Sequence, residues 1–354
     1  MNSKRTFIIL TPGFPASEAD TTCLPMQQQL TLSMREAYPD LEIIVLTFQY
    51  PYHQTPYKWN GIEVVPFGGR NRGGLKKLKL RRKINRALEN LNKTTSIAGL
   101  LSFWYNECAW IGKKFGEKHR IKHYCWILGQ DAKKENKYPR LLRPCSAELI
   151  ALSDFLQDEF EKNHGVRPKF MIPPGVDEKL FSDNSEEKDV DLLGVGSLIT
   201  LKQYDIFLEA VAEIKKQIPT LKAVLTGDGP EKERLKSVIT QLNLENSITM
   251  AGELAYPEVL KLMQRSKLFL HTSSYEGFGC VCIEALQAKA QVISFCKPMK
   301  ADIPYWHIAK DKKEMVEKSL NIFQGERKQW QSPARFNIRD TCTQIMKLFI
   351  GVDK

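Results

Sequence analysis

The stretch Leu268-Phe269-Leu270-His271-Thr272-Ser273-Ser274-Tyr275-Glu276-Gly277-Phe278-Gly279-Cys280-Val281-Cys282-Ile283-Glu284-Ala285-Leu286 passes from a short apolar run through a polar loop and a Gly-x-Gly turn into a helical pattern. A buried strand, a loop and a helix in that order form the repeating unit of a parallel, doubly wound sheet. Gly277 and Gly279 let the backbone approach a ligand closely or take positive φ. A helix beginning near Cys280 offers N–H groups without intrahelical partners and a partial positive charge, which suits a diphosphate. Glu284 falls about one turn into that helix, where a carboxylate can accept two hydrogen bonds from a ribose diol. Glu276 precedes the glycines, where a second carboxylate can reach a sugar's hydroxyls.

Outward from this stretch the same rhythm repeats on both sides. Phe7–Leu10, Ile43–Leu46 and Tyr124–Leu128 read as buried strands, with helices predicted over Met26–Tyr38 and Asn106–His119. A second set begins at Asp191–Val195. It continues with a helix over Tyr204–Gln217, a strand at Lys222–Thr226, a helix over Pro230–Leu242, and strands at Leu268–Leu270 and Val292–Ser294. Strands spaced by helices predict parallel sheets covered on both faces. The polar run Asp183-Asn184-Ser185-Glu186-Glu187-Lys188 has no apolar period and reads as a linker. The expected organisation is an N-terminal domain over 1–180, a linker over 181–190 and a C-terminal domain over 191–330. A final helix in 331–354 is free to pack on either domain, and is expected back on the first. Ligands of such sheets bind beyond the carboxyl ends of the strands, so a cleft between the two domains is the expected active site.

The bulk properties agree with two globular domains. With 354 residues, 42% hydrophobic and 26% charged, the chain holds enough apolar material for two cores. No run approaches the roughly 18 apolar residues that span a bilayer. The apolar run that ends at Thr11-Pro12 is too short for a signal-peptide core. The expected location is therefore the cytoplasm, with peripheral contact on the inner face of a membrane as an option. Eight scattered cysteines, none in a C-x-x-C pair, fit free thiols in that compartment. His119 and His123 sit four apart, but no nearby Cys or carboxylate completes a ligand set, so no metal site is expected.

Two glutamates separated by seven residues, with Gly-Phe-Gly after the first, resemble the donor-binding signature of the retaining GT-B glycosyltransferases, the glycosyl transferases group 1. That resemblance implies an α/β GT-B fold, two doubly wound Rossmann-like domains facing a central cleft, and transfer of a sugar from a nucleoside diphosphate donor to an acceptor hydroxyl. It implies that Glu284 binds the nucleotide ribose and that Glu276 meets the donor sugar as a catalytic group. The backbone at Gly277, Phe278, Gly279 and Cys280 is placed beside the donor. Gly194-Val195-Gly196-Ser197-Leu198 followed by Lys202 resembles the strand-loop that opens the family's second domain. There an arginine and a lysine hold the diphosphate; Lys202 matches the lysine and is expected to be catalytic together with Glu276, and Ser197 replaces the arginine at the donor-binding position. Lys202 alone is a point charge without the bidentate fork of arginine. Leu225-Thr226-Gly227-Asp228-Gly229-Pro230, Pro173-Pro174-Gly175-Val176-Asp177 with Phe181, and Ile150-Ala151-Leu152-Ser153 match further family segments in the family's order. No cofactor and no bound metal are implied; the nucleotide sugar is a substrate.

The resemblance is good over roughly residues 145–295 and thins outside. After the first strand only Gly13 stands where a glycine pair usually approaches the donor. Where many members carry a histidine, this chain has Gly129-Gln130-Asp131, and Gln130 or Asp131 is placed either to contact sugar or acceptor or to shape the loop. Cys296-Lys297-Pro298-Met299 stands where a Gly-Gly turn and a glutamate are usual.

Charge is unevenly spread. Residues 1–182 hold 28 Lys and Arg against 18 Asp and Glu, while the remaining 172 hold 24 against 23. The stretch Arg70–Arg86 has nine basic residues and no acid, and Leu80, Ile84, Leu88 and Leu91 form one helical stripe through and beyond it. It reads either as a core-packed helix with a solvated basic face or as a surface for anionic lipid or a lipid-diphosphate acceptor. No recognition motif points to nucleic acid. The acceptor is expected to be a growing polysaccharide or other glycan, or a lipid-linked sugar. The rival reading is a catalytically silent GT-B-fold protein that binds nucleotide or glycan, motivated by Ser197.

Overall fold

The computed structural model describes residues 5–181, 187–325, 330 and 336–350. Two compact units are present: Met1–Gly175 with Ile338–Lys354, and Val176–Asn337. The change of unit falls between Gly175 and Val176, ahead of the stretch expected as a linker; residues 182–186 of that stretch lie outside the described residues.

The first unit contains β1 (Arg5–Gly13), α1 (Pro25–Ala37), β2 (Glu42–Tyr50), β3 (Tyr57–Trp59), β4 (Ile62–Pro66), α2 (Gly74–Thr94) and β5 (Ser96–Phe103). It continues with α3 (Glu107–His119), β6 (His123–Ile127), α4 (Tyr138–Leu142), β7 (Leu149–Ala151), α5 (Asp154–His164) and β8 (Phe170–Met171). Its sheet runs β3-β4-β2-β1-β5-β6-β7-β8, parallel except for the β3–β4 hairpin. β1 and β2 are buried along nearly their whole length, as parallel strands covered on both faces must be.

The second unit contains β9 (Val190–Val195), α6 (Tyr204–Lys215), β10 (Ala223–Thr226), α7 (Lys232–Gln241), β11 (Ile248–Gly252), α8 (Tyr256–Gln264) and β12 (Ser266–His271). α9 (Cys280–Gln287), β13 (Gln291–Ser294), β14 (Trp306–Ile308) and α10 (Lys312–Gln324) complete it. Its six strands are all parallel, in the order β11-β10-β9-β12-β13-β14. Tyr204, Phe207, Leu208, Val211 and Ile214 recur at helical spacing along α6 and pack with Leu192, Leu225 and Leu268 from the sheet. Both units are therefore Rossmann-like, as the strand–helix rhythm predicted.

α11 (Ile338–Ile350) belongs to the first unit by its contacts. Its Phe349 ring lies edge-on to Phe7 at 4.7 Å and to Tyr124 at 4.9 Å. Gly99, in the middle of β5, makes room for it, because a Cβ there would stand 2.2 Å from the Phe349 ring. Strand β5 has no counterpart among the strands expected from sequence. Among the described residues no helix is long and apolar enough to cross a membrane.

Truncating Phe349 to alanine removes a ring that is 5% exposed and leaves a cavity over β1 and β5. The expected loss is about 3 kcal/mol or more, read as a lower denaturant midpoint with an unchanged slope.

Candidate active site

In the second unit β9 lies between β10 and β12, so the chain winds outward in one direction through β11 and then returns to start β12 on the other side of β9. The loops leaving the carboxyl ends of β9 and β12 therefore diverge from neighbouring strands, which opens a crevice. The two loops are tied across it. Thr272 Oγ1 donates to the Lys202 carbonyl at 2.7 Å, and Ser274 N–H donates to the Leu201 carbonyl at 3.0 Å. These bonds bring the Lys202 ammonium onto Glu276 Oε1 in an ion pair whose side chains are 19% and 21% exposed.

His271, the last residue of β12, sets its Nε2 3.4 Å from the same Glu276 oxygen. Burial favours the neutral form of Glu276, but hydrogen bonding from His271 and the charge of Lys202 outweigh it and bring its pKa down to about 2. Burial likewise pushes the His271 imidazole below its ordinary range, against the pull of Glu276. His271 carried no functional assignment from sequence; its place at a strand end, five residues before the glutamate, was the available signal.

The glycines make the crevice possible. Gly279 takes φ +85° as the N-cap of α9, and no side chain caps that terminus. With no acid in the first turn, the positive end of the helix dipole is not offset there. Gly227 follows β10, and a Cβ there would sit 1.9 Å from the Gly196 carbonyl oxygen, so the β9 and β10 loops pack backbone on backbone.

The side chain of Phe278 is core, 1% exposed and packed on Phe336 at 5.3 Å. Gly277 is buried and Cys280 half-buried beside it. Burial pushes the Cys280 thiol far up, so it is no nucleophile. Ser197 is exposed on the β9 loop, and Gly196 and Lys202 sit close to one another there.

Glu284 is 9% exposed on α9 and accepts a 2.9 Å hydrogen bond at Oε1 from the Tyr256 phenol on α8. Burial raises its carboxyl from 4.5 to about 7, opposed by the Tyr256 bond. Tyr256 was not recognised from sequence, because nothing local marks a residue 28 positions away as a partner.

The three candidates in the first unit are placed differently. Gly13 ends β1 beside Tyr50, and a Cβ there would meet only ordinary contacts. Gln130 is exposed. Asp131 is 6% exposed and its carboxylate accepts from the backbone N–H groups of Tyr105, Leu128 and Gly129, so it ties its own loop to the one after β5. His119 and His123 do not share a helix face. His119 ends α3 against Glu89, and His123 opens β6 with Nε2 2.8 Å from Ser102 Oγ. A cavity of about 300 Å³ lies at this amino end of β6, opposite the strand ends that carry ligands in such sheets.

The basic residues of Arg70–Arg86 fall into two groups. Lys77 and Arg81 converge on buried Glu107, which also accepts from Tyr138 on α4. Arg70, Arg72, Lys76, Lys79, Arg82, Lys83 and Arg86 are exposed instead. Among them Leu75 and Leu78 stand out at 76% and 48% exposure, with Leu141 of α4 at 52%. Leu80, Ile84 and Leu88 are buried as the stripe predicted, and Leu91 is partly buried.

Comparison with known proteins follows the same outline. Residues 176–303 match the family described as glycosyl transferases group 1. The GtfA subunit of the UDP-N-acetylglucosamine–peptide N-acetylglucosaminyltransferase of Streptococcus pneumoniae is 28% identical over 154 residues, 43% of this chain and 29% of that one. A phosphatidylinositol N-acetylglucosaminyltransferase subunit from Arabidopsis thaliana is 29% identical over 152 residues, 42% of this chain and 34% of that one. The chain thus spans about a third of the length of these curated relatives. Among solved structures, Anabaena Alr3699/HepE in complex with UDP and glucose superposes with a TM-score of 0.72 at 18% identity, covering 99% of this chain and 100% of that one.

The buried Glu284 carboxyl has a checkable consequence for stability. Below about pH 4.5 folded and unfolded chains both keep its proton; between there and about 7 only the folded chain does. Stability therefore falls as pH rises through that window, by up to about 3 kcal/mol. Glu284→Gln removes the titrating group, so its denaturant midpoint relative to wild type is expected to rise between about pH 5 and about pH 8.

Proposed function

We propose that this protein, which has the GT-B fold and whose residues 176–303 match the glycosyl transferases group 1, transfers a sugar from a nucleoside diphosphate donor to an acceptor hydroxyl with retention at the anomeric carbon. The observation that carries the reading is the joint placement, at one switch point, of Lys202 on Glu276 and of buried Glu284 on the uncapped helix α9. Glu284 accepts the ribose diol. The backbone from Gly277 to Cys280, with the positive end of α9, receives the diphosphate.

Lys202, paired here with Glu276, turns to the diphosphate when donor enters and stabilises charge as the sugar–phosphate bond breaks. The low pKa of Glu276 keeps it an acceptor for the sugar's hydroxyls. The acceptor hydroxyl bonds to the anomeric carbon, and its proton leaves with the departing diphosphate. Lysine and helix supply the positive charge in this scheme, so it needs neither metal nor cofactor. UDP is the proposed nucleotide and N-acetylglucosamine the first sugar to test, supported by the names of the relatives.

A glycan or lipid-linked acceptor is proposed, met at an anionic membrane surface through α2. The exposed Leu75 and Leu78 within a basic face support that contact. Exposed Ser197, in place of an arginine, favours a second reading as a silent nucleotide- or glycan-binding protein.

UDP or UDP-N-acetylglucosamine at about a hundred times its dissociation constant is expected to stabilise the wild-type chain by roughly 2.7 kcal/mol in a thermal-shift assay. Glu284→Ala is expected to weaken binding about ten- to hundredfold. Binding without turnover on glycan and lipid-linked acceptors would move the conclusion to the silent protein. Unchanged affinity in the mutant would remove Glu284 from the donor site.

The membrane contact is checked by flotation with phosphatidylserine vesicles. Wild type is expected to float at low salt and to be released as salt rises. Leu75→Ser with Leu78→Ser is expected to abolish flotation, and no flotation of wild type at low salt would rule the contact out.

A further inference from the structure

Glu284 is a long side chain with several rotamers, yet a ribose diol must find its two oxygens in one plane and one direction. The residue that holds it comes not from α9 but from α8, and that residue's own position is fixed. Tyr256 is the first residue of α8, Pro257 follows it, and Glu258 folds back to accept from the Ala255 N–H at 2.9 Å. A second bond, from the Val259 N–H to the Ala255 carbonyl at 3.0 Å, closes the turn. The phenol is thus delivered from a rigid helix start onto one oxygen of a buried carboxylate.

We propose that Tyr256 is a positioning residue for the nucleotide: by donating its phenol O–H to Glu284 Oε1 at 2.9 Å, it holds that carboxylate in the orientation from which it accepts a ribose diol. The inference rests on the donor reading of Glu284 and adds to it a residue from a different helix. Tyr256 touches the carboxylate and is given no contact with the reacting atoms.

The same bond bears on charge. Burial disfavours the ionised form of Glu284, and a hydrogen bond donated to a carboxylate favours it. The other titratable groups facing this pair are Cys280, a turn earlier on α9, and Asp177, whose charge acts on Tyr256. Burial keeps both the phenol and the Cys280 thiol protonated through the neutral range. Glu284 is then the group of this set that titrates near 7. A ribose diol donates to an ionised carboxylate more strongly than to a neutral one, so donor affinity should climb as pH rises through that value.

The experiment is isothermal titration of UDP-N-acetylglucosamine, whose diphosphate diester does not titrate near neutrality, into wild type, Tyr256→Phe, Glu284→Gln and the double variant across pH. Tyr256→Phe keeps the ring and removes only the donor. It is expected to bind about three- to tenfold more weakly at neutral pH, and its affinity–pH midpoint should lie above that of wild type. Adding Tyr256→Phe to Glu284→Gln should cost much less than it costs in wild type, the mark of a coupled pair.

Weaker binding with an unmoved midpoint would mean a packing role and would overturn the proposal. So would wild-type affinity in Tyr256→Phe alongside weakened Glu284→Gln, an outcome that leaves the donor reading standing. Unchanged affinity in Glu284→Gln would overturn the donor reading and the proposal together.

Discussion

The candidate site depends on β9 and β12 being neighbours in a parallel sheet. Because β10 and β11 lie to one side of β9 and β13 and β14 to the other side of β12, the loops after the central pair have nothing beneath them and must part. Two hydrogen bonds from Thr272 and Ser274 to the backbone of residues 201–202 keep them from parting further. Every charged group that matters follows from that arrangement: Lys202 rides on one loop, Glu276 on the other, and the uncapped start of α9 follows immediately.

Two carboxylates on one loop-helix segment are thereby driven in opposite directions. Glu276 sits where a lysine and a histidine can reach it, and these outweigh burial and hold it near 2. Glu284 has burial against it and one phenol in its favour, and it rests near 7. The ordinary difference between two glutamates is nil, so the whole separation is environmental. Glu276 is thereby kept charged, and its ion pair occupies Lys202. Glu284 carries a burial cost in the fold.

The first unit shows how a single basic stretch can hold two unlike populations. Lys77 and Arg81 are structural, because they neutralise Glu107 between α2, α3 and α4. The others are exposed, Arg70 over the Tyr52 ring and Lys83 on Gln54 among them, and so are Leu75 and Leu78. Composition alone gave nine equivalent cations. Within α2 the difference lies in which way the helix turns each one, and that is set by Leu80, Ile84 and Leu88 packing inward.

The strand–helix rhythm, the parallel sheets, the glycine turn and the two glutamates were legible in the sequence because each is written over a few consecutive residues, as an apolar run, a helical period or a fixed spacing. Strand β5 was overlooked because Gly99 breaks its apolar run, and the reason for that glycine lies in Phe349, far along the chain. Asp131 could be read as a ligand contact or a loop residue until its oxygens were seen to face three backbone N–H groups. The unit boundary at Gly175 and the attachment of α11 to the first unit are likewise matters of contact. Lys202 and Glu276 are 74 residues apart, Tyr256 and Glu284 are 28 apart, and neither spacing carries any local signal. Residue types and local periods set which chemistry was available. Which groups meet, and hence which carboxylate is charged, was decided by strand order, because only the folded sheet converts distance along the chain into distance in space.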